Sequence, residues 1–288
     1  MRELVKGFAL GIRDLAREAG VLEDLIAQAQ MLAALVERSE LLAAALDDRA
    51  AAVERRIGIL ADLLRERVHI LLWRQLEELV IDETPGEVAH AIGELPQVFA
   101  TTGVIEAEAD FATVRRVQGY ARAIFETVLD AGELEPVLAE LRSVLELVQS
   151  SRELERLLSG YVGGRSVRLR VVDELIVPKV SVRAAQVVRA AVATSAVRPI
   201  ERVLERLVAY AAELLDRSVA VVRTARELEP EEAQAVREKL QQLARRSVEV
   251  DWVVDEALVG GIVAIIGDRQ WDRSVRRQLE QARRLVGA

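Results

Sequence analysis

Cysteine is absent from the 288 residues, and histidine occurs only as His69 and His90. Disulfides, thiol nucleophiles, zinc-thiolate clusters and multi-histidine metal sites are thereby excluded. Aromatic residues make up 3% of the chain, and nowhere do 18 to 20 uncharged apolar residues run together as a bilayer span requires. Met1 to Arg13 carries too much charge for a secretory signal. The chain is therefore expected to stay in the cytoplasm, with no direct membrane span. Its net charge of -8 comes from interspersed acids and bases without a basic stripe, so nucleic acid is not an expected partner. Phosphate loop, dinucleotide glycine fingerprint, nucleophile elbow and paired-histidine metal motif are all missing. These absences favour a binding role, with no catalytic residue, cofactor or metal assigned.

What remains is a chain that is 51% hydrophobic, nearly all of it Ala, Leu, Val and Ile, with abundant Glu and Arg. That mix suits packed amphipathic helices. Shifted by 112 residues, the sequence aligns with itself from Phe8–Val80 to Tyr120–Val192 without a gap, with 16 identities in 73 positions. Ala19-Gly20 meets Ala131-Gly132, Leu22-Glu23 meets Leu134-Glu135, Leu35-Val36 meets Leu147-Val148, and Ser39 meets Ser151. Most other pairs keep polarity, so the buried face recurs with the identities. A duplication is the expected origin.

In each copy a first helix ends at a glycine, Gly20 or Gly132, suited to a left-handed cap. Ser39 and Ser151 are suited to cap a short third helix. Further helices are expected over about 53–65 and 68–80, and over about 166–177 and 182–196, with Pro178 marking a break. Between the copies, residues 82–118 hold Pro85, Gly93, Pro96 and a Thr-Thr-Gly turn, and read as a connector with one or two short helices. A long amphipathic helix follows over 199–216. The period then changes to that of strands at 218–224, 247–254 and 261–266, with a helix opening at Pro230 between the first two and another over 274–286. The expected fold is mainly α: a first helical bundle (1–81), the connector (82–118), a second bundle (119–216), and a small C-terminal α/β domain (217–288).

Other chemistry-bearing residues have structural readings. The densest carboxylate group is Asp251, Asp255, Glu256, Asp268 and Asp272, which strand ends and helix caps account for. Trp73, Trp252 and Trp271 are either interface anchors or core. Gly260-Gly261, just before a strand, marks a bulge or tight turn rather than a ligand cradle.

The run Val253-Val254-Asp255-Glu256-Ala257-Leu258-Val259-Gly260-Gly261-Ile262, followed by Gly267-Asp268, Asp272, Ser274-Val275 and Leu279, resembles the C-terminal signature of the F-type ATP synthase delta family. That family includes the mitochondrial oligomycin-sensitivity-conferring protein. Tyr120-Ala121-Arg122-Ala123-Ile124-Phe125, with Gly132 and Leu134, resembles the family's N-terminal opening. Residues 119–288 alone would make a standard member, and an N-terminal extension is a feature of actinobacterial-type members. Two departures touch turn geometry: Glu256 stands where the family commonly has Pro, and Arg273 where it commonly has Gly.

The resemblance implies a non-catalytic stator subunit, one copy per complex, at the cytoplasmic face of the plasma membrane as part of a proton-translocating synthase. It implies an apolar groove between the first and fifth helices of the helical domain that receives the N-terminal helix of an alpha subunit. Here that groove would be Tyr120, Ile124 and Val128 with Val187, Val188 and Ala191. It implies that the C-terminal domain, marked by Asp255, Leu258, Gly260, Gly261, Gly267, Asp268, Asp272, Ser274 and Leu279, grips the C-termini of the b subunits. Phe8, Ile12 and Leu15 with Leu72, Leu76 and Leu79 form a comparable set in the first copy. Outside the resemblance, the same composition fits a helical scaffold or regulator unrelated to ATP synthase.

Overall fold

A computed structural model describes residues 1–101, 113–193, 199–244, 248–255, 258–266, 269–275 and 277. Among the described residues, twelve α-helices precede the first strand: α1 (Glu3–Glu18), α2 (Leu22–Arg38), α3 (Glu40–Asp47), α4 (Val53–Leu64), α5 (Ile70–Asp82), α6 (Val88–Ala100), α7 (Val114–Asp130), α8 (Leu134–Ser150), α9 (Arg152–Leu158), α10 (Arg165–Leu175), α11 (Val182–Ala193) and α12 (Ile200–Ser218). A short 3-10 turn, Val177–Lys179, holds Pro178 between α10 and α11. Then come β1 (Val219–Thr224), α13 (Pro230–Ala244), β2 (Glu249–Val254), β3 (Ile262–Ile266) and β4 (Arg269–Asp272). The mainly α architecture with a small C-terminal α/β part is the one the periodicity predicts.

The helices α7 to α12 stand in register with α1 to α6 at the 112-residue shift. Their closing chemistry repeats as well. Gly20 and Gly132 take φ of 71° and 74°, a conformation that glycine adopts without a Cβ penalty. The two residues that follow repeat one bond: Val21 N–H donates to Ala16 O, and Glu133 N–H to Val128 O. Ser39 and Ser151 each accept the N–H three residues on, from Leu42 and Leu154, both at 3.3 Å. At the start of the fifth helix of each copy, Gln28 accepts the His69 N–H at 2.7 Å and Glu140 accepts the Ser181 N–H at 2.9 Å. Ser39→Ala and Ser151→Ala are each expected to cost about 1 kcal/mol, read as matching losses in chemical denaturation.

The helix α6 lies inside the segment read from the sequence as a connector, and it packs against α1, α2 and α3. Its buried residues Val88, Ala91, Ile92 and Leu95 match Ile200, Val203, Leu204 and Leu207 of α12, 112 residues on. Gly93 and Pro96 read as breakers, yet both lie within α6. An internal proline forfeits one backbone bond, and burial of the flanking apolar face offsets that loss.

The chain divides into two units, Met1–Thr127 with Pro136–Val208, and Val128–Glu135 with Ala209–Ala288. In the second unit the sheet order is β2-β1-β3-β4. β1 pairs parallel with β2, the connection between them carrying α13, while β3 pairs antiparallel with both β1 and β4. Ala220, Val222, Leu240, Val248 and Ala264 form its core, with Trp252 and Trp271 packed against it. The edge strand β4, Arg-Gln-Trp-Asp, lacks the β-branched run that marks the other three, so sequence periodicity does not announce it.

Candidate partner-binding surfaces

The six groove residues of the second copy are all buried in the chain by itself: Tyr120, Ile124, Val187, Val188 and Ala191 at 0% exposure and Val128 at 2%. Phe8, Ile12, Leu15, Leu72, Leu76 and Leu79 of the first copy are buried too. Helix-interior glycines bring α1 and α7 together beside these residues. A methyl group placed at Gly7 would stand 2.0 Å from the Arg116 carbonyl oxygen, and one at Gly119 would stand 1.9 Å from the Leu4 carbonyl oxygen. One placed at Gly11 would stand 2.6 Å from the Ala123 methyl. The backbones of α1 and α7 thus touch, which only residues without a side chain permit.

Polar contacts flank this crossing. Arg116 pairs with Glu3 at 2.7 Å, and Thr113 donates to the same carboxylate at 2.7 Å. The Tyr120 hydroxyl donates to Asp14 at 3.1 Å, and the buried Arg13 guanidinium donates to Asp14 at 2.9 Å. Burial, reinforced by the Asp14 charge, pushes the Tyr120 hydroxyl well above its ordinary range. From α11, Arg183 and Gln186 both reach Glu18 at the end of α1. Arg122 of α7 meets Glu78 at 2.8 Å and Asp82 at 2.7 Å on α5, and Glu126 at 2.9 Å on its own helix. One guanidinium therefore faces three carboxylates. Burial pushes the Glu78 carboxyl up to about 9, against the attraction of Arg122.

Sequence reasoning missed most of these residues. The available signal was the pairing of small residues four apart on one helix face, Gly7 with Gly11 and Gly119 with Ala123, which lets two helix backbones approach. His69 caps α5, its Nδ1 accepting the Leu71 N–H at 3.2 Å, and Trp73 is core.

In the second unit the family-signature residues build one turn system. Asp255 N–H donates to Thr224 O at 2.8 Å, and Leu258 N–H donates to Asp255 O at 3.0 Å. Gly260 O accepts the Val275 N–H at 3.0 Å. Gly261 sits at φ +81°, and a methyl there would stand 2.3 Å from the Arg273 carbonyl oxygen. Asp272 accepts the Ser274 N–H at 2.9 Å, and hydrogen bonding from the Ser274 side chain and then from its backbone holds the Asp272 carboxyl below the usual range. Ser274 in turn accepts the Arg277 N–H at 3.3 Å. Gly267, Asp268 and Leu279, with Glu256 and Ala257, lie outside the described residues, as does most of the helix expected over 274–286. Val254 and Val259, beside the signature, are exposed. Gly261→Ala combines a forbidden φ with a backbone clash, and is expected to destabilise the C-terminal unit by about 2 kcal/mol or more. Amide exchange across β3 and β4 would report the loss.

Comparison with known proteins bears directly on residues 117–286, which match the family model for the ATP synthase delta (OSCP) subunit. The ATP synthase subunit delta of Anaeromyxobacter sp. (strain Fw109-5) is 32% identical over 166 residues, covering 57% of this chain and 93% of that protein. That of Brevibacillus brevis is 27% identical over 161 residues, 56% of this chain and 92% of the relative. That of Corynebacterium urealyticum is 32% identical over 163 residues, 57% of this chain but 60% of the relative. More than half of the chain, through α7 to α12 and the sheet, carries the match: the chain belongs to the ATP synthase delta (OSCP) subunit family.

Proposed function

We propose that this chain is a non-catalytic stator subunit of a proton-translocating F-type ATP synthase, one copy per complex, on the cytoplasmic face of the plasma membrane. Torque on the central rotor must be resisted by a peripheral connection, or the catalytic hexamer would turn with the rotor and store no work. The observation that carries the reading is the match over residues 117–286, which takes in the second set of helices and the C-terminal sheet together. The helical part contacts the N-termini of the alpha subunits, and the C-terminal unit contacts the C-termini of the b subunits. Exposed Val254 and Val259, on either side of Asp255 and Leu258 in the signature, support the second contact, since apolar side chains are better covered than hydrated.

The helices α1 to α6 are a second copy of the helical domain. Their register with α7 to α12, the repeated glycine closures and the repeated serine caps support a duplication. Residues Tyr120, Ile124, Val128, Val187, Val188 and Ala191 remain the proposed seat of an alpha N-terminal helix, with α1 and α5 as a second such face. Affinity purification of the tagged full chain from detergent-extracted membranes tests the assignment: alpha and b subunits should accompany it in fixed ratio. A chain recovered with neither is a helical scaffold of another kind.

A further inference from the structure

We propose that residues 1–101 are the built-in occupant of the α7/α11 face. The first bundle closes that face by a pseudo-two-fold contact within the chain, and a partner helix reaches it only when the bundles part. The proposal rests on the helix-in-groove reading above and adds the control of access to it.

The symmetry is carried by the contacts themselves. Exchanging the copies, by adding 112 to one partner and subtracting it from the other, turns the Gly7–Arg116 approach into Gly119–Leu4. These are the two closest approaches, at 2.0 and 1.9 Å, and both run from a would-be Cβ to a carbonyl oxygen. Gly11 with Ala123 is its own image, so the axis passes between them. The same face of each copy is used, as in an isologous dimer.

Charge makes the pairing specific. The carboxylates of this contact, Glu3, Asp14, Glu18, Glu78 and Asp82, sit on the first copy. Their donors Arg116, Tyr120, Arg122, Arg183 and Gln186 sit on the second. The image of Glu78–Arg122 is Leu10 facing Ala190, so a first-with-first pairing would set Glu78 against leucine. A second-with-second pairing would set Arg122 against alanine. Either arrangement leaves a buried or partly buried polar group, Glu78 or Arg122, without its partner, which disfavours it relative to the pairing within the chain. The α7 and α11 residues beside the proposed groove, Arg116, Gly119, Arg122, Ala123, Arg183 and Gln186, are thus met by a surface matched to them in shape and in charge.

The full chain tests this, since it has no native cysteine. Glu18→Cys with Arg183→Cys, both partly exposed positions, can be bridged by a short thiol-to-thiol cross-linker that holds α1 to α11. Arg122→Glu places a fourth carboxylate among Glu78, Asp82 and Glu126 and should part the bundles. The probe is a fluorescent peptide with the N-terminal sequence of an alpha subunit, followed by anisotropy. Cross-linking should weaken binding about tenfold or more against the same double variant left unbridged, and Arg122→Glu should tighten it by a similar factor. Equal binding by bridged, unbridged and charge-reversed chains would overturn the closure while leaving the helix-in-groove reading intact. Absence of binding in every form, with faster amide exchange on α1 and α7 of the Arg122→Glu chain, would overturn that reading and the closure with it.

Discussion

Gly119→Leu is expected to lower the thermal midpoint of the helical unit by roughly 6 to 12 °C, the largest effect of any single substitution considered. The reason is steric. The added Cβ alone would lie 1.9 Å from the Leu4 carbonyl oxygen and 2.8 Å from the Phe8 nitrogen. Backbone atoms cannot rotate away as a side chain can, so α1 and α7 must separate, at a cost of about 3 kcal/mol. For a unit of this size each kcal/mol moves the midpoint by roughly 2 to 4 °C. Separation also removes the cover from Tyr120 and loosens the Arg122–Glu78 contact. Gly58, inside α4, supplies the control, because a methyl group placed there meets nothing within 4 Å. Gly58→Ala should raise stability by about 0.5 to 1 kcal/mol through helix propensity alone. Scanning calorimetry of the two variants should therefore give shifts of opposite sign. A gain of stability in both would mean that propensity, not the crossing, governs these glycines.

The second large effect concerns pH. Burial raises the Glu78 carboxyl from an ordinary 4.5 to about 9 in the folded chain, so the folded state holds this proton more tightly than the unfolded state. Its contribution is fully present below about 4.5, and it is lost as pH rises through about 9. Within that window the loss can reach ~1.4 kcal/mol per pH unit. Glu78→Gln keeps the shape and removes the titration. The variant should match the parent near pH 5 and exceed it increasingly from pH 6 to 9. Denaturant midpoints for both proteins across that range isolate this one group, because every other titration is common to both. Parallel profiles would show that Arg122 keeps Glu78 ionised throughout.

How much of this could be read beforehand depends on the range of the interaction that decides each element. The helices, the glycine ends at Gly20 and Gly132, the serine caps, and the strands near 219–224, 249–254 and 262–266 are set by neighbours along the chain, and periodicity recovers them. Pro96 and Gly93 are local breakers by type, and the helix expected in this segment runs through both because burial of its apolar face against α1, α2 and α3 secures α6. Strand β4 was missed because its pairing with β3, not its composition, makes it a strand. The residues assigned to the groove are buried in the chain by itself, and apolar spacing is the same for a bundle core, an open groove and a covered one. What separates these cases is the meeting of Gly7 with Arg116 and of Gly119 with Leu4, more than a hundred residues apart in sequence. The signature residues Asp255, Gly260, Gly261, Asp272 and Ser274 were legible as a group, and the structure supplies the reason for several: they make the turns that join β3 to the chain after β4.

The most direct measurement of the stator assignment is coupling in inverted membrane vesicles from cells depleted of this chain and then resupplied with it. ATP-driven proton uptake should fall towards zero on depletion while ATP hydrolysis persists, and the full chain should restore uptake. Proton uptake that is unchanged per ATP hydrolysed after depletion would contradict the account.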